Sequence, residues 1–520
     1  MNQNNFEMRA IALTAEMVNL LPQSLLSLVV ITADGQLVTT REAKTANVIV
    51  FNSTEQKLKA AGFIKGSTVL VSQEEFNALQ NEASSMKPDE IDHSDMQREI
   101  VGLIEKGVAA HASDIHIVVK NGRTIVLFRC LGDLDPENKP RMQQSADWGM
   151  SAMRCIYQSM TDVSGIQFST TEPQDASMDR ERLPDSLFGG RIATTPIFGG
   201  HYMVIRLLYS GANAKTLQEL GYNRKQIACI EYAMSVPYGI ILLAGTTGSG
   251  KTTTLASCLE KKYTDAGGQI NIVTVEDPVE FILPGRQLAV TAENDEGRAQ
   301  AYGRAVKAMM RLDPDVGMIS ELRDRATIEQ AIQLALTGHQ VFSTVHAIDT
   351  TSILPRMEMY GVSREILADN KLITALVAQS LVKKLCDHCK VKAEEKASES
   401  NNWRYMDHLA KCEIDTARVY YRGSGCEKCN QTGYDGRTVL AEVVIPDAKY
   451  MQHYRDGDRI KMRDHAFKTS NWVSRHQHAR EKIDHGIVDP RDVEAAIGPL
   501  TSDLYESDSV VSMSEIVTGA

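Results

Sequence analysis

At 520 residues, with 24% charged residues and a formal net charge of -11, the chain exceeds a single hydrophobic core. Its length and ordinary composition indicate two to four globular domains and exclude a disordered or fibrous protein. The acidic balance argues against nonspecific nucleic-acid binding as its work. No apolar run approaches the roughly 18–20 residues that span a bilayer, and "MNQNNFEMRA" lacks the basic segment of a secretory leader, so a cytosolic chain is expected.

In chain order, residues 1–85 predict a small α/β module. A helical pattern covers residues 6–20, a hairpin turns about Asp34-Gly35, and "NVIVF" and "STVLV" read as short strands beside two amphipathic helices. No chemical motif lies here, so docking or scaffolding is the expected role. The polar "ASSMKPDEIDHSD" reads as a linker. A second α/β domain is expected over 94–211: a helix from Met96, strands "HASDIHIVV" and "TIVLFRC", and the hairpin "FGGRIATTPIFGGHYMVIRLL". Next, "TLQELGYNRKQIACIEYAMSVP" is helical. From residue 216 to 385 buried strands alternate with helices, the pattern of a parallel sheet covered on both faces.

Within that region "GIILLAGTTGSGKTTTLASCLE" is an apolar strand, then Gly245, Thr246, Thr247, Gly248, Ser249, Gly250, Lys251, Thr252 and Thr253, then a helix. Glycines let the backbone wrap phosphate so that its N–H groups and the helix N-terminus face the negative charge. Lys251 suits the β and γ phosphates of ATP, and the Thr252 hydroxyl suits Mg2+. In an open parallel sheet ligands sit beyond the carboxyl ends of the strands. Three later strands end in titratable groups: "INIVTV" in Glu276, "DVGMIS" in Glu321 and "VFSTV" in His346. Phosphoanhydride hydrolysis needs charge neutralisation and a group to orient water, for which Glu276 and Glu321 are candidates, with His339 and His346 flanking the last strand.

Nine cysteines in a reducing compartment do not suggest a disulfide framework. Cys386 and Cys389, and after residues 390–425 Cys426 and Cys429, form two C-x2-C knuckles. Four thiolates without an open position predict a structural Zn2+ site, in an insertion spanning 386–436. A helical region over 437–500 and an acidic, flexible tail over 501–520 complete the expected chain.

With these residues in hand, the chain resembles the secretion ATPases of type II secretion and type IV pilus assembly. The resemblance spans residues 112–498 and rests on "ASDIHI", the P-loop, "VTVEDPVEF", "MRLDPDVGMISELRD", "TGHQVFSTVH", "VAQSLVKKLCDHCK" and "CEKCNQTGYDGR". It implies a RecA-like ATPase domain preceded by a PAS-like domain, in a homo-hexamer at the cytoplasmic face of the inner membrane. The ring would touch the membrane only through partners, chiefly a platform protein. It also implies that Arg191 and Arg206 stabilise charge on the γ-phosphate, that Glu321 serves magnesium and water, that Glu276 polarises the water, and that His339 and His346 form the His box. The cysteine set favours an assembly motor over a retraction motor, with a short N-terminal region similar to type IVb or plasmid-type pilus members. A type II secretion motor and a nucleotide-gated docking protein with little turnover are the alternatives. Departures from the family pattern are Ser320 in place of glycine, Ala176-Ser177 in "QDAS", Leu127 and Leu131 in "LFRCLG", and Ser380 after Gln379.

Overall fold

A computed structural model describes residues 10–11, 25, 28–32, 35–60, 63–65, 68–73, 75–77, 79, 90–162, 167–210, 215–290, 295–396, 402–412, 414–469 and 472–500. The acidic tail lies outside them.

The N-terminal module is a four-stranded sheet, β1 (Ala10–Ile11), β2 (Val30–Thr32), β3 (Leu37–Thr40) and β4 (Val69–Val71), in sequential order. β2 and β3 form the expected hairpin, with Ile31 opposite Leu37. Of the helix expected over 6–20, the described residues Ala10–Ile11 are strand. Residues 47–51 also depart from expectation. They enter the helix Val48–Ala60 instead of a strand. Phe51, Thr54 and Leu58 are spaced i, i+3, i+7 and all buried, so a helix seats them as one stripe that an extended chain would split between faces. Packing outweighs the β-branched run.

The second sheet is antiparallel, with strands β5 (Ala112–Lys120), β6 (Arg123–Cys130), β7 (Asp133–Leu134), β8 (Met142–Ser145), β9 (Gln174–Ser177), β10 (Leu187–Ile197) and β11 (Gly200–Tyr209) in the order β7-β6-β5-β11-β10-β9, and β8 beside β6. Its leading helix begins at Glu90, inside the expected linker, and runs to Ala109. That helix and Ala146–Ser159 contribute Ile100, Ile104, Ala152 and Ile156 to a core shared with Ile115, Ile117 and Ile205.

The third sheet comprises β12 (Gly239–Ala244), β13 (Ile272–Glu276), β14 (Arg286–Ala289), β15 (Val316–Ile319), β16 (Gln340–Val345) and β17 (Ile373–Leu385). After two short strands, β18 (Val391–Lys392) and β19 (Tyr420–Tyr421), β20 (Tyr434–Val444) completes it. The order is β14-β13-β15-β16-β12-β17-β20. All neighbours are parallel except β17 and β20. Every residue of β12 is buried: Ile240, Leu242 and Ala244 enter one core, Ile241 and Leu243 the other. This double burial makes the strand read as a continuous apolar run.

Residues 437–444, expected as the start of a helical region, are strand. "TVLAEVV" is buried throughout and pairs with β17, Ala441 opposite Gln379. The cysteine-bearing segment and the helices after it also share one core, in which Val419 and Tyr421 meet Ala479, Ile483 and Val493.

The helix Ala146–Ser159 lies so close to its sheet that a Cβ on Gly149 would stand 2.2 Å from Thr124 Oγ1 and 2.5 Å from Val119 Cγ2. Gly149→Val is expected to destabilise the second sheet by about 1–3 kcal/mol through overpacking. Hydrogen exchange of β5 and β6 in the intact chain is the measurement, with faster exchange expected there and unchanged protection in β12.

Candidate functional site

The P-loop leaves β12 at Gly245 and enters the helix Lys251–Asp265, whose N-cap is Gly250. Gly245 has a φ of 151°, and a Cβ there would come within 2.4 Å of Ser249 Oγ and 2.5 Å of the Gln379 carbonyl oxygen. Only glycine permits so tight a fold of the loop onto β17. Lys251 Nζ donates to the carbonyls of Gly245 (2.9 Å) and Thr246 (3.1 Å). Burial lowers its pKa, while the charges of Glu321 and Glu280 oppose that shift. Thr252 and Thr253 occupy the first turn of the same helix.

Parallel register carries the other strand ends to the same edge: Ala244 pairs with Val345, Ile319 with Ser343 and Val275 with Ile319. Glu276 closes β13 and is 1% exposed. Its Oε1 accepts from Thr274 Oγ1 at 2.6 Å and from Gln287 Nε2 at 2.8 Å. Burial raises its pKa, and these two bonds oppose the rise. Glu321, just beyond β15, lies between an imidazole and a guanidinium. Its Oε1 is 3.2 Å from His346 Nε2, and its Oε2 accepts from Arg323 Nε at 3.0 Å. Arg323 also donates to Asp277 Oδ2 at 3.1 Å, so one guanidinium joins the endings of two strands.

Ser320, the departure beside Glu321, has a local partner. Tyr302 Oη is 3.1 Å from Ser320 Oγ, 3.2 Å from the Glu321 carbonyl and 3.3 Å from the Glu321 N–H. The hydroxyl therefore meets a tyrosine on the neighbouring helix Asp295–Met309.

The structure does not bring every expected residue to this edge. His339 precedes β16 and so stands at its amino end, bonded to Thr337 Oγ1 (3.0 Å) and the Leu334 carbonyl (3.2 Å). A strand of this length separates it from His346 by on the order of 20 Å. Arg191 and Arg206 face each other across β10 and β11. Arg206 Nε donates to Asp114 Oδ1 at 3.0 Å, and Arg129 lies 4.0 Å from the same carboxylate. The second sheet nevertheless reaches the P-loop by another route. A cleft of about 340 Å³ lies between its Leu131-Gly132-Asp133 turn, Thr246–Ser249, and Lys383 and Arg437 of β17 and β20.

Sequence reasoning missed Arg323, Tyr302 and Gln287 as contributors. Arg323 lies inside a motif already quoted and its charge was a usable signal. Tyr302 and Gln287 arrive through tertiary packing and carry no local signature.

The four cysteines converge. Sulfur separations are 3.8 Å for Cys386 and Cys426, 3.9 Å for Cys389 and Cys429, and 3.7 Å for Cys426 and Cys429. A tetrahedral zinc thiolate site, with Zn–S near 2.3 Å, needs sulfurs about 3.8 Å apart, so the residues fit such an ion. Burial pushes the Cys429 thiol up, but N–H groups of Cys426 and Gly433, each 3.2 Å from its Sγ, outweigh this and hold its pKa at about 6. Backbone donors of this kind support thiolate charge.

A family model described as "Type II/IV secretion system protein" matches residues 89–495. The chain belongs to this family. Among its relatives, the type IV pilus assembly ATPase PilB of Thermus thermophilus is 32% identical over 72% of the chain and 40% of its own length. The type II secretion system protein HxcR of Pseudomonas aeruginosa is 35% identical over 67% of the chain and 66% of its own. The chain thus spans 40% and 66% of the length of these two curated relatives. Among solved structures, the pilus retraction motor PilT with bound ADP aligns with a TM-score of 0.51 at 19% identity, covering 79% of the chain and 98% of PilT. The Yersinia pseudotuberculosis ATPase DotB aligns with a TM-score of 0.53 at 18% identity, over 78% and 94%. At these identities the likeness concerns the fold. No helix among the described residues is long and apolar enough to cross a membrane.

Metal analysis of the purified chain is expected to return about one zinc ion per chain, and Cys426→Ser to lose it. Because metal binding of this kind is coupled to folding, loss should loosen the core that joins β19 to the C-terminal helices while β12 stays protected from hydrogen exchange. Native protein free of metal would refute the assignment.

Proposed function

We propose that the chain is an ATP hydrolase that drives type IV pilus assembly as a homo-hexamer at the cytoplasmic face of the inner membrane, working on a membrane platform protein. The observation that carries the reading is the single sheet edge at which the P-loop, Lys251, Glu276, Glu321 and His346 meet. Phosphoryl transfer depends on positioning and charge stabilisation more than on covalent help from protein, and this edge supplies both. The residues 245–253 would hold the phosphates, with Thr252 and Glu321 placed to serve Mg2+, which would supply charge neutralisation at the phosphate oxygens. Glu276 is proposed to polarise water and His346 to contact the γ-phosphate. Arg191 and Arg206 are proposed to stabilise phosphate charge, with Asp114 restraining Arg206. His339 is reassigned from the phosphate site to a role at the opposite end of β16. A PAS-like assignment for the second sheet and a zinc ion on the four cysteines belong to the same reading.

The similarity to HxcR supports a second reading, a type II secretion motor. The two differ in cargo and share the chemistry, so the neighbouring genes separate them: prepilin genes, or a secretin with exported enzymes.

ATP turnover of the purified chain is expected to fall at least about a hundredfold in Lys251→Ala and in Glu321→Gln, as removal of a charge-stabilising group in an active site does. Equal rates in all three proteins would refute hydrolysis and favour the docking protein with little turnover.

The pH dependence of kcat offers a separate check. Burial raises the pKa of Glu276, so if its carboxylate is the working form, the acidic limb should lie above the ordinary carboxylate range. Gln287→Ala removes a bond that favours the carboxylate and is expected to move that limb further up. A limb that stays in place or moves down would remove Glu276 from the role.

A further inference from the structure

Behind the P-loop, on the side away from the carboxylate edge, two buried side chains tie the loop to a distant part of the chain. Gln379 of β17 is 1% exposed, and its Nε2 donates to the carbonyl of Ser249 at 2.8 Å. Its Oε1 accepts from Tyr222 Oη at 2.7 Å, and the same hydroxyl is 3.2 Å from Thr254 Oγ1 in the first turn of the P-loop helix. Tyr222 is 3% exposed. A carboxamide and a phenol thus span both limbs of the loop, its crown at Ser249 and its helix at Thr254. Every polar atom in the relay has a partner, and in a buried setting an amide can do this only in one orientation.

The tyrosine is itself anchored. It follows Gly221, whose carbonyl accepts from Lys482 Nζ at 2.7 Å and lies 3.1 Å from His478 Nε2, both on the C-terminal helix Arg475–Asp484. Asn223, on its other side, donates to Glu481 Oε2 of that helix at 2.8 Å. The turn at 221–223 lies between the second and third sheets in sequence. It is therefore held by the C-terminal helix from behind and holds the P-loop in front.

We propose that Tyr222 and Gln379 are positioning residues for nucleotide binding, setting the P-loop conformation that receives phosphate and linking it to the turn between the two large sheets. The proposal rests on the reading of residues 245–253 as a nucleotide site. Neither side chain is required to touch nucleotide. Their effect is on the shape of a loop whose backbone N–H groups must converge on one anion, and a loop free to relax binds less tightly because the competent form is only partly populated.

The test measures binding of a fluorescent ADP analogue and ATP turnover in the full-length chain, with Tyr222→Phe, Gln379→Ala and the double variant. Tyr209→Phe is the control. It also deletes a partly buried hydroxyl that bonds a carbonyl, at Ala112 in the second sheet, and that makes no hydrogen bond to the loop. Tyr222→Phe and Gln379→Ala are each expected to raise the nucleotide Kd and KM roughly fivefold to twentyfold, the usual effect of leaving buried partners unsatisfied. Their kcat should stay within about twofold of wild type, the pattern of lost ground-state binding. The double variant should lose less than the product of the two single losses, since the two side chains share one bond. Tyr209→Phe should lower the thermal midpoint and leave Kd unchanged. Wild-type Kd in both single variants, or effects that multiply in the double variant, would overturn the proposal while leaving the nucleotide site intact. A wild-type chain that does not bind the analogue would overturn the nucleotide reading and the positioning role together.

Discussion

Parallel pairing of β13, β15, β16 and β12 is the constraint on which the site depends. Parallel strands share a direction, so whatever follows each one emerges at a common edge, and buried faces on both sides forbid a one-residue slip. A slip in β12 would exchange Ile241 and Leu243 with Leu242 and Ala244 between two different cores. Packing thus fixes the alignment, and the alignment gathers the P-loop, Glu276, Glu321 and His346.

Once gathered, these groups are sorted by environment. Glu276 is buried, with a raised pKa and neutral hydrogen-bond partners. Glu321 is partly open, ion-paired to Arg323 and 3.2 Å from His346 Nε2. Two carboxylates in one small region so different in solvation are suited to different work. Arg323 restrains both neighbourhoods through Glu321 and Asp277, and Tyr302 restrains the Ser320-Glu321 backbone. The serine that stands where the family pattern has glycine is accommodated by that tyrosine.

The cysteine cluster and the C-terminal helices act as a brace at the opposite flank of the sheet. They share a core with β17 and β20 through Val382 and Leu440, and the helix Arg475–Asp484 reaches back to the turn at 221–223. The segment bearing the four clustered cysteines is in this way continuous with the strand that backs the P-loop.

Local chemistry made much of this legible. A glycine-rich loop between an apolar strand and a helix needs only its neighbours in sequence to be recognised, as do strands that end in Glu276, Glu321 and His346, and paired C-x2-C knuckles. Sequence by itself therefore determined the site's ingredients, the mixed α/β class and the spacing that lets four thiols meet. It misjudged residues 47–51, where tertiary burial of Phe51 and Leu58 overrode β-branched propensity. It also misjudged residues 437–444, where a lone apolar run had no visible partner strand. Only the tertiary structure decided that Arg206 is held by Asp114, and that Tyr302, Gln287, Tyr222 and Gln379 reach the loop and its carboxylates. The physical reason is range. Caps, loops and knuckles are specified by residues a few positions apart, whereas a hydrogen bond such as that between Tyr222 and Gln379 exists only after the sheet has closed around both.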